Sequence, residues 1–119
     1  MNSYKIKLKD IKRKKILLDE CVNFEYMVGL SEILDKEEYY LMHVNDLKNL
    51  KGKPDEIIAD YIDKHEFDIF ITCDSPFLWR ILNGKGYKKN LRVISVSPFT
   101  RPEEKDIQEI HEYVVFQDE

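Results

Sequence analysis

Cysteine is scarce in this chain: its 119 residues hold only Cys21 and Cys73. Two thiols cannot build a disulfide framework, and no Cys-x-x-Cys or mixed Cys/His spacing accompanies them to form a zinc site. Both are expected to be reduced and buried near strand ends. Histidine is equally sparse. His43, His65 and His111 are scattered without metal-ligand spacing, so each is expected to be structural or exposed. There is no apolar run of membrane-spanning length, so no membrane partner is expected. The lysine-rich N-terminus lacks the apolar stretch and small-residue cleavage site of a signal peptide, which makes the cytoplasm the expected location. Internal repeats, low-complexity segments and linkers are also missing. The chain is therefore read as a single domain over residues 1–119, long enough for one core and too short for two.

What is present is a well-patterned globular sequence. Hydrophobic residues at 43% and charged residues at 35% are enough of each to exclude disorder. The net charge of -4 hides an asymmetry. Met1–Lys15 carries seven Lys/Arg against the single Asp10, whereas Arg101–Glu119 carries seven Asp/Glu against Arg101 and Lys105. Residues 1–14 read as a basic arm suited to a polyanion such as RNA, or as a half-buried edge strand over Tyr4–Lys9 whose lysines face water.

An α/β core follows over residues 15–119. The short apolar run Lys15–Leu18 stops on two adjacent acids, Asp19 and Glu20, as a buried strand of a parallel sheet would. Asn23 caps a helix to about Lys36, with Met27, Leu30, Ile33 and Leu34 at helical spacing. Tyr39–Val44 reads as the second strand, and Asn45–Pro54 as a loop. Pro54 followed by Asp55 and Glu56 starts a helix, with Ile57, Ile58, Tyr61 and Ile62 as its stripe. Phe67–Asp74 repeats the first design, an apolar strand ending on an acid. Ser75-Pro76 opens a helix to about Leu82 with Gly84 as its stop, and Leu91–Val96 is a further strand. Glu103–His111 reads as an acidic helix, and Val114–Phe116 as a last short strand.

Strands alternating with helices predict a three-layer α/β/α sandwich around a mostly parallel sheet. A flavodoxin-like order would put the first core strand at the centre, beside the Phe67–Cys73 strand, with the switch point between them. Asp19, Glu20, Asp55 and Asp74 then fall on the carboxyl-end rim. Converging carboxylates repel unless a cation lies among them, and Mg²⁺ is a fitting one. Taken singly, Asp55 is a helix N-terminal acid, Asp74 a turn or capping residue and Glu20 a solvent-facing side chain. Asp19 resists such a reading, because a carboxylate on the end of a buried strand needs a partner. Thr72 is either an accessory hydroxyl or an ordinary strand residue. Arg80, Lys85, Lys88 and Lys89, near Phe77, Trp79 and Tyr87, read as an RNA-binding patch or as a solvated face beside core aromatics.

Four segments together resemble the compact PIN-like nuclease domains: Lys15-Ile-Leu-Leu-Asp-Glu, His43-Val-Asn-Asp-Leu, Pro54-Asp-Glu-Ile-Ile and Ile71-Thr-Cys-Asp-Ser-Pro-Phe77. The resemblance spans roughly Lys15 to Val96. It implies a PIN-like fold and a Mg²⁺- or Mn²⁺-dependent RNA endonuclease, with Asp19, Asp55 and Asp74 as catalytic metal ligands and Asp46 as an accessory; Glu20 is a further metal ligand if its side chain turns inward to make up for the acid that Pro76 replaces. It also implies RNA as substrate, an antitoxin protein as partner if the chain is the toxin of a toxin–antitoxin pair, and a homodimer as an assembly open to it. Pro76 departs from the family pattern, standing where a second acid follows the Thr-x-Asp position. That substitution favours the alternative of a PIN-like binding scaffold with weakened catalysis. A phospho-receiver-like signalling domain is the third reading; it lacks the expected lysine after the last core strand and offers Arg101 instead.

Overall fold

The computed structural model describes residues 13–73 and 91–116. Residues 1–12 of the basic arm, the helix expected after Ser75, the Gly84 stop and residues Asp74, Arg80, Lys85, Lys88 and Lys89 lie outside the described residues, while Lys14, the last residue of that arm, opens β1.

The elements run in the order β1 (Lys14–Leu18), α1 (Phe24–Ile33), β2 (Tyr39–His43), a 3₁₀ turn (Val44–Asp46), α2 (Asp55–Lys64), β3 (Ile69–Thr72), β4 (Arg92–Ser95) and α3 (Glu104–Phe116). The four strands form one sheet in the order β2-β1-β3-β4, and every pairing is parallel. β1 is thus flanked on both sides, with Leu18 opposite His43 in β2 and Ile71 in β3.

Its composition follows from that position. Ile16, Leu17 and Leu18 are all 0% exposed, as a strand covered on both faces requires. Ile16 and Leu18, with Ile69 and Ile71 of β3, face Tyr26 and Leu30 of α1 and Ile110 and Val114 of α3. Leu17 and Phe70 point the other way, to Ile58, Ala59 and Ile62 of α2. Helices on both faces of a parallel sheet make the α/β sandwich expected from the sequence.

Local signals set most of the boundaries. The Asn23 side chain accepts the Glu25 N–H and starts α1. The helix stops at Ile33 rather than near Lys36, because Asp35 organises a tight turn: its carboxylate accepts the Glu37 N–H and its carbonyl accepts those of Glu38 and Tyr39. Val114–Phe116 is not a strand. It continues α3, since Ile107, Ile110 and Val114 recur along one helical stripe and Val114 is fully buried; packing overrides the β-preference of these residues. Ile33 and Ile57, assigned to buried stripes from their spacing, are instead exposed.

A lysine lies inside the sandwich. Lys15 is 2% exposed, and its Nζ donates to the His65 carbonyl at 2.7 Å, where α2 ends. A cation there complements the helix dipole and satisfies a terminal carbonyl. Its backbone N–H donates to Asp68 Oδ2 at 2.8 Å, fixing the start of β1 to the segment leading into β3.

Two predictions come from this packing. α1 and α3 approach closely at Gly29, where an added Cβ would lie 2.9 Å from Ile107 Cδ1 and 3.0 Å from its Cγ1. Gly29→Val should therefore destabilise the protein by about 1–3 kcal/mol through overpacking, with partial recovery in the Gly29→Val/Ile107→Ala double variant; urea denaturation of the set checks this. The second concerns His65, whose ring lies 4.3 Å from that of Tyr61. Burial first, then the charges of Lys64 and Lys15, hold its pKa below the ordinary 6.5. The unfolded chain takes up this proton before the folded one, so the stability contribution is complete above pH 6.5 and is lost as pH falls below it. His65→Gln should lose less stability than the parent between neutral and mildly acidic pH, as read from denaturation midpoints across that range.

Candidate functional site

The exit of β1 gathers contacts from every other strand. Asp19 follows Leu18 directly, and its N–H donates to the Ile71 carbonyl at 2.8 Å, extending the β1/β3 pairing by one bond. The residue is only 9% exposed. Thr72 Oγ1, from the last residue of β3, donates to Asp19 Oδ2 at 2.7 Å, and the Glu20 N–H donates to Oδ1 at 2.8 Å. The Cys21 thiol faces Oδ2 at a longer 3.8 Å. Among the described residues, every buried side-chain nitrogen or oxygen has a hydrogen-bond partner.

The turn after Asp19 is held just as firmly. Val22 N–H donates to the Asp19 carbonyl, and Phe99 N–H, from the loop after β4, donates to the Cys21 carbonyl at 2.8 Å. Phe99 has φ 55°, a left-handed backbone uncommon for a bulky residue, and this hydrogen bond helps to hold it there. Cys73 N–H donates to Cys21 Sγ at 3.2 Å. From β2, the fully buried His43 pairs through Nε2 with the Val22 carbonyl at 2.8 Å, while the Asn45 N–H donates to Nδ1 at 3.1 Å. A backbone N–H only donates, so Nδ1 accepts and the proton resides on Nε2.

The expected acids share a rim but differ in setting. Glu20 is partly exposed beside Asp19, Asp46 is exposed in the 3₁₀ turn after β2, and Asp55 heads α2 in its first turn. In a parallel sheet α2 begins where β2 ends, so topology alone assigns all of them to the carboxyl-end side. Among the described residues, however, no three His, Cys, Asp or Glu side chains converge closely enough to hold a metal ion. Asp19 and Thr72 are brought together. Arg101, the alternative cation after β4, is forked onto Glu25, with Nε–Oε2 at 2.7 Å and Nη2–Oε1 at 3.1 Å, which engages it with a carboxylate of α1 instead of leaving it for a phosphate.

From the sequence alone His43 is one of three scattered histidines, and the cysteines are unpaired. The signal that would pair them is present: Cys21 lies two residues after the first strand-end acid and Cys73 directly after Thr72. Burial, the hydrogen bond and charge of Cys21, and the charge of Asp19 push the Cys73 thiol up to about 12 against a weaker downward pull from the Phe99 backbone. A separate pocket of about 640 Å³ lies between the end of β4 and helices α1 and α3, lined by Tyr26, Ile94, Val96, Asp106, Ile110 and Tyr113 among others. It does not include Asp19, and its acids disfavour a phosphate.

Compared with known proteins, the chain matches no family model, no curated protein and no solved structure.

Removing the Thr72 hydroxyl should withdraw a charge-assisted donor from a buried carboxylate. Thr72→Val is expected to cost about 1–3 kcal/mol, with a smaller cost in an Asp19→Asn background; a double-mutant cycle by urea denaturation checks this, and additive losses would refute the pairing.

Proposed function

We propose that the protein is a divalent-metal-dependent RNA endonuclease of the PIN-like type, working at the exits of β1 and β3. The observation that carries this reading is the Asp19 carboxylate, almost buried at the point where chain connections diverge to opposite sides of the sheet. Ligands of open parallel sheets bind at such points. Asp19 suits a Mg²⁺ or Mn²⁺ ligand chemically: Oδ1 accepts the Glu20 N–H and retains a lone pair, while Oδ2 accepts Thr72 Oγ1 and the longer contact of the Cys21 thiol, and Mg²⁺ needs only one or two carboxylates with waters and substrate oxygens completing its shell. The absence of a three-ligand cluster among the described residues is therefore compatible with the proposal.

In this reading Asp19 and Asp74 are the principal ligands, with Glu20, Asp55 and Asp46 contributing negative potential along the rim. The bound ion supplies an activated water and charge stabilisation at the phosphodiester. Thr72 and the Glu20 N–H fix the orientation of Asp19, so that it meets the ion without reorganising. Arg80, Lys85, Lys88 and Lys89 are the proposed contacts to RNA phosphates, and the toxin role with its antitoxin partner belongs to the same proposal.

One observation favours a second reading. Both oxygens of Asp19 already accept internal donors, an arrangement that also serves a scaffold in which the acid is purely structural, and Pro76 points the same way. Purified protein with mixed RNA and Mn²⁺ separates the two. Cleavage should fall at least about a hundredfold in Asp19→Asn, a loss of roughly 2.7 kcal/mol in transition-state stabilisation. Equal cleavage by parent and variant would refute the assignment; absent cleavage together with no calorimetric Mn²⁺ binding would establish the scaffold.

A further inference from the structure

We propose that Cys21 and Cys73 are a modification site, a dithiol that closes to a reversible intrachain disulfide on exposure to a peroxide. The inference stands apart from the nuclease reading, since it rests on the two thiols alone.

Both cysteines are free and only partly buried, so a small oxidant reaches them. Their separation in sequence is cancelled by the sheet. Leu18 pairs with Ile71, and the Asp19 N–H to Ile71 carbonyl bond carries that register one residue further. Beyond it, Cys21 Sγ accepts the Cys73 N–H at 3.2 Å. The sulfur of one cysteine thus lies against the backbone atom bonded to the other's Cα. Cys73 N is one bond from Cys73 Cα and two from its Cβ, so a side-chain rotation at Cys73 can swing its sulfur toward Cys21 Sγ.

The same contacts order the reaction. The Cys73 N–H holds Cys21 Sγ in place at 3.2 Å, so a Cys21 sulfur oxidised first stays beside the Cys73 side chain. Cys21 Sγ attacks one peroxide oxygen, the O–O bond breaks, and a sulfenic acid and one water form. Cys73 Sγ then attacks the Cys21 sulfur and displaces hydroxide, which leaves with the Cys73 thiol proton as a second water. Two thiols are oxidised and one peroxide is reduced to two waters. The bridge removes the Cys21 S–H from Asp19 Oδ2 and leaves that carboxylate to Thr72 and Glu20.

The test treats the full chain with hydrogen peroxide and reads intact mass, thiol titre in denaturant and peptide linkage. Expected are a fall from two titratable thiols to none, a mass loss equal to two hydrogen atoms in a monomer, a cross-linked peptide joining positions 21 and 73, and full reversal by dithiothreitol. Cys73→Ser should instead gain oxygen at Cys21 without losing hydrogen. Two thiols surviving peroxide, oxygen adducts in place of hydrogen loss in the parent, or covalent dimers would each overturn the proposal.

Discussion

A carboxylate on the end of a solvent-free strand has to be met by donors, and the architecture around Asp19 follows from that requirement. Ionised groups are costly to bury unless hydrogen-bonded, and here the donors come from the next residue and from the neighbouring strand. The turn bearing Asp19 is braced in turn by His43 at the end of β2, by Cys73 after β3 and by Phe99 after β4. All four strand exits are tied to one short segment. Loss of any one tie leaves the others, but among the described residues the donors at short range to the charge are Thr72 and the Glu20 N–H.

This arrangement joins stability to chemistry. A ligand-binding side chain works best when its rotamer is already fixed, because no ordering remains to be done when the ligand arrives. The donors that make Asp19 tolerable inside the sandwich also fix its direction. The Arg101–Glu25 fork adds to this on the outside, fastening the loop after β4 to the start of α1; being exposed, it contributes little to stability and serves mainly to define where that loop runs.

The sequence made the sandwich legible because its strongest signals were physical necessities. Ile16–Leu18 and Ile69–Ile71 are uninterrupted apolar runs since both faces are covered, and Asn23, Pro54 and Asp55 mark helix starts by capping and dipole chemistry. Boundaries decided by tertiary contact were harder to read. Val114–Phe116 has strand-like composition, yet its helical state is set by the stripe it shares with Ile107 and Ile110, and Ile33 and Ile57 have buried-looking spacing on exposed faces. Asp19 and Thr72 could be singled out as candidates, one for its misplaced charge and the other for its position at a strand end. The braces by His43 and Phe99 could not, because backbone carbonyls and N–H groups leave no trace in residue identity, whereas the meeting of Cys21 and Cys73 is legible from their places after the two strand ends.

The order of strands also implies an order of assembly. β1, α1 and β2 are contiguous in the chain, so the Leu18–His43 pairing closes a short loop, and the imidazole brace on Val22 belongs to this early unit. The Ile16–Ile69 pairing spans a much longer loop, whose closure has a larger entropic cost and comes more slowly. In a β1–α1–β2 unit without β3 the acid would have water in place of its hydroxyl donor, and it is β3 that brings the Thr72 hydroxyl to it.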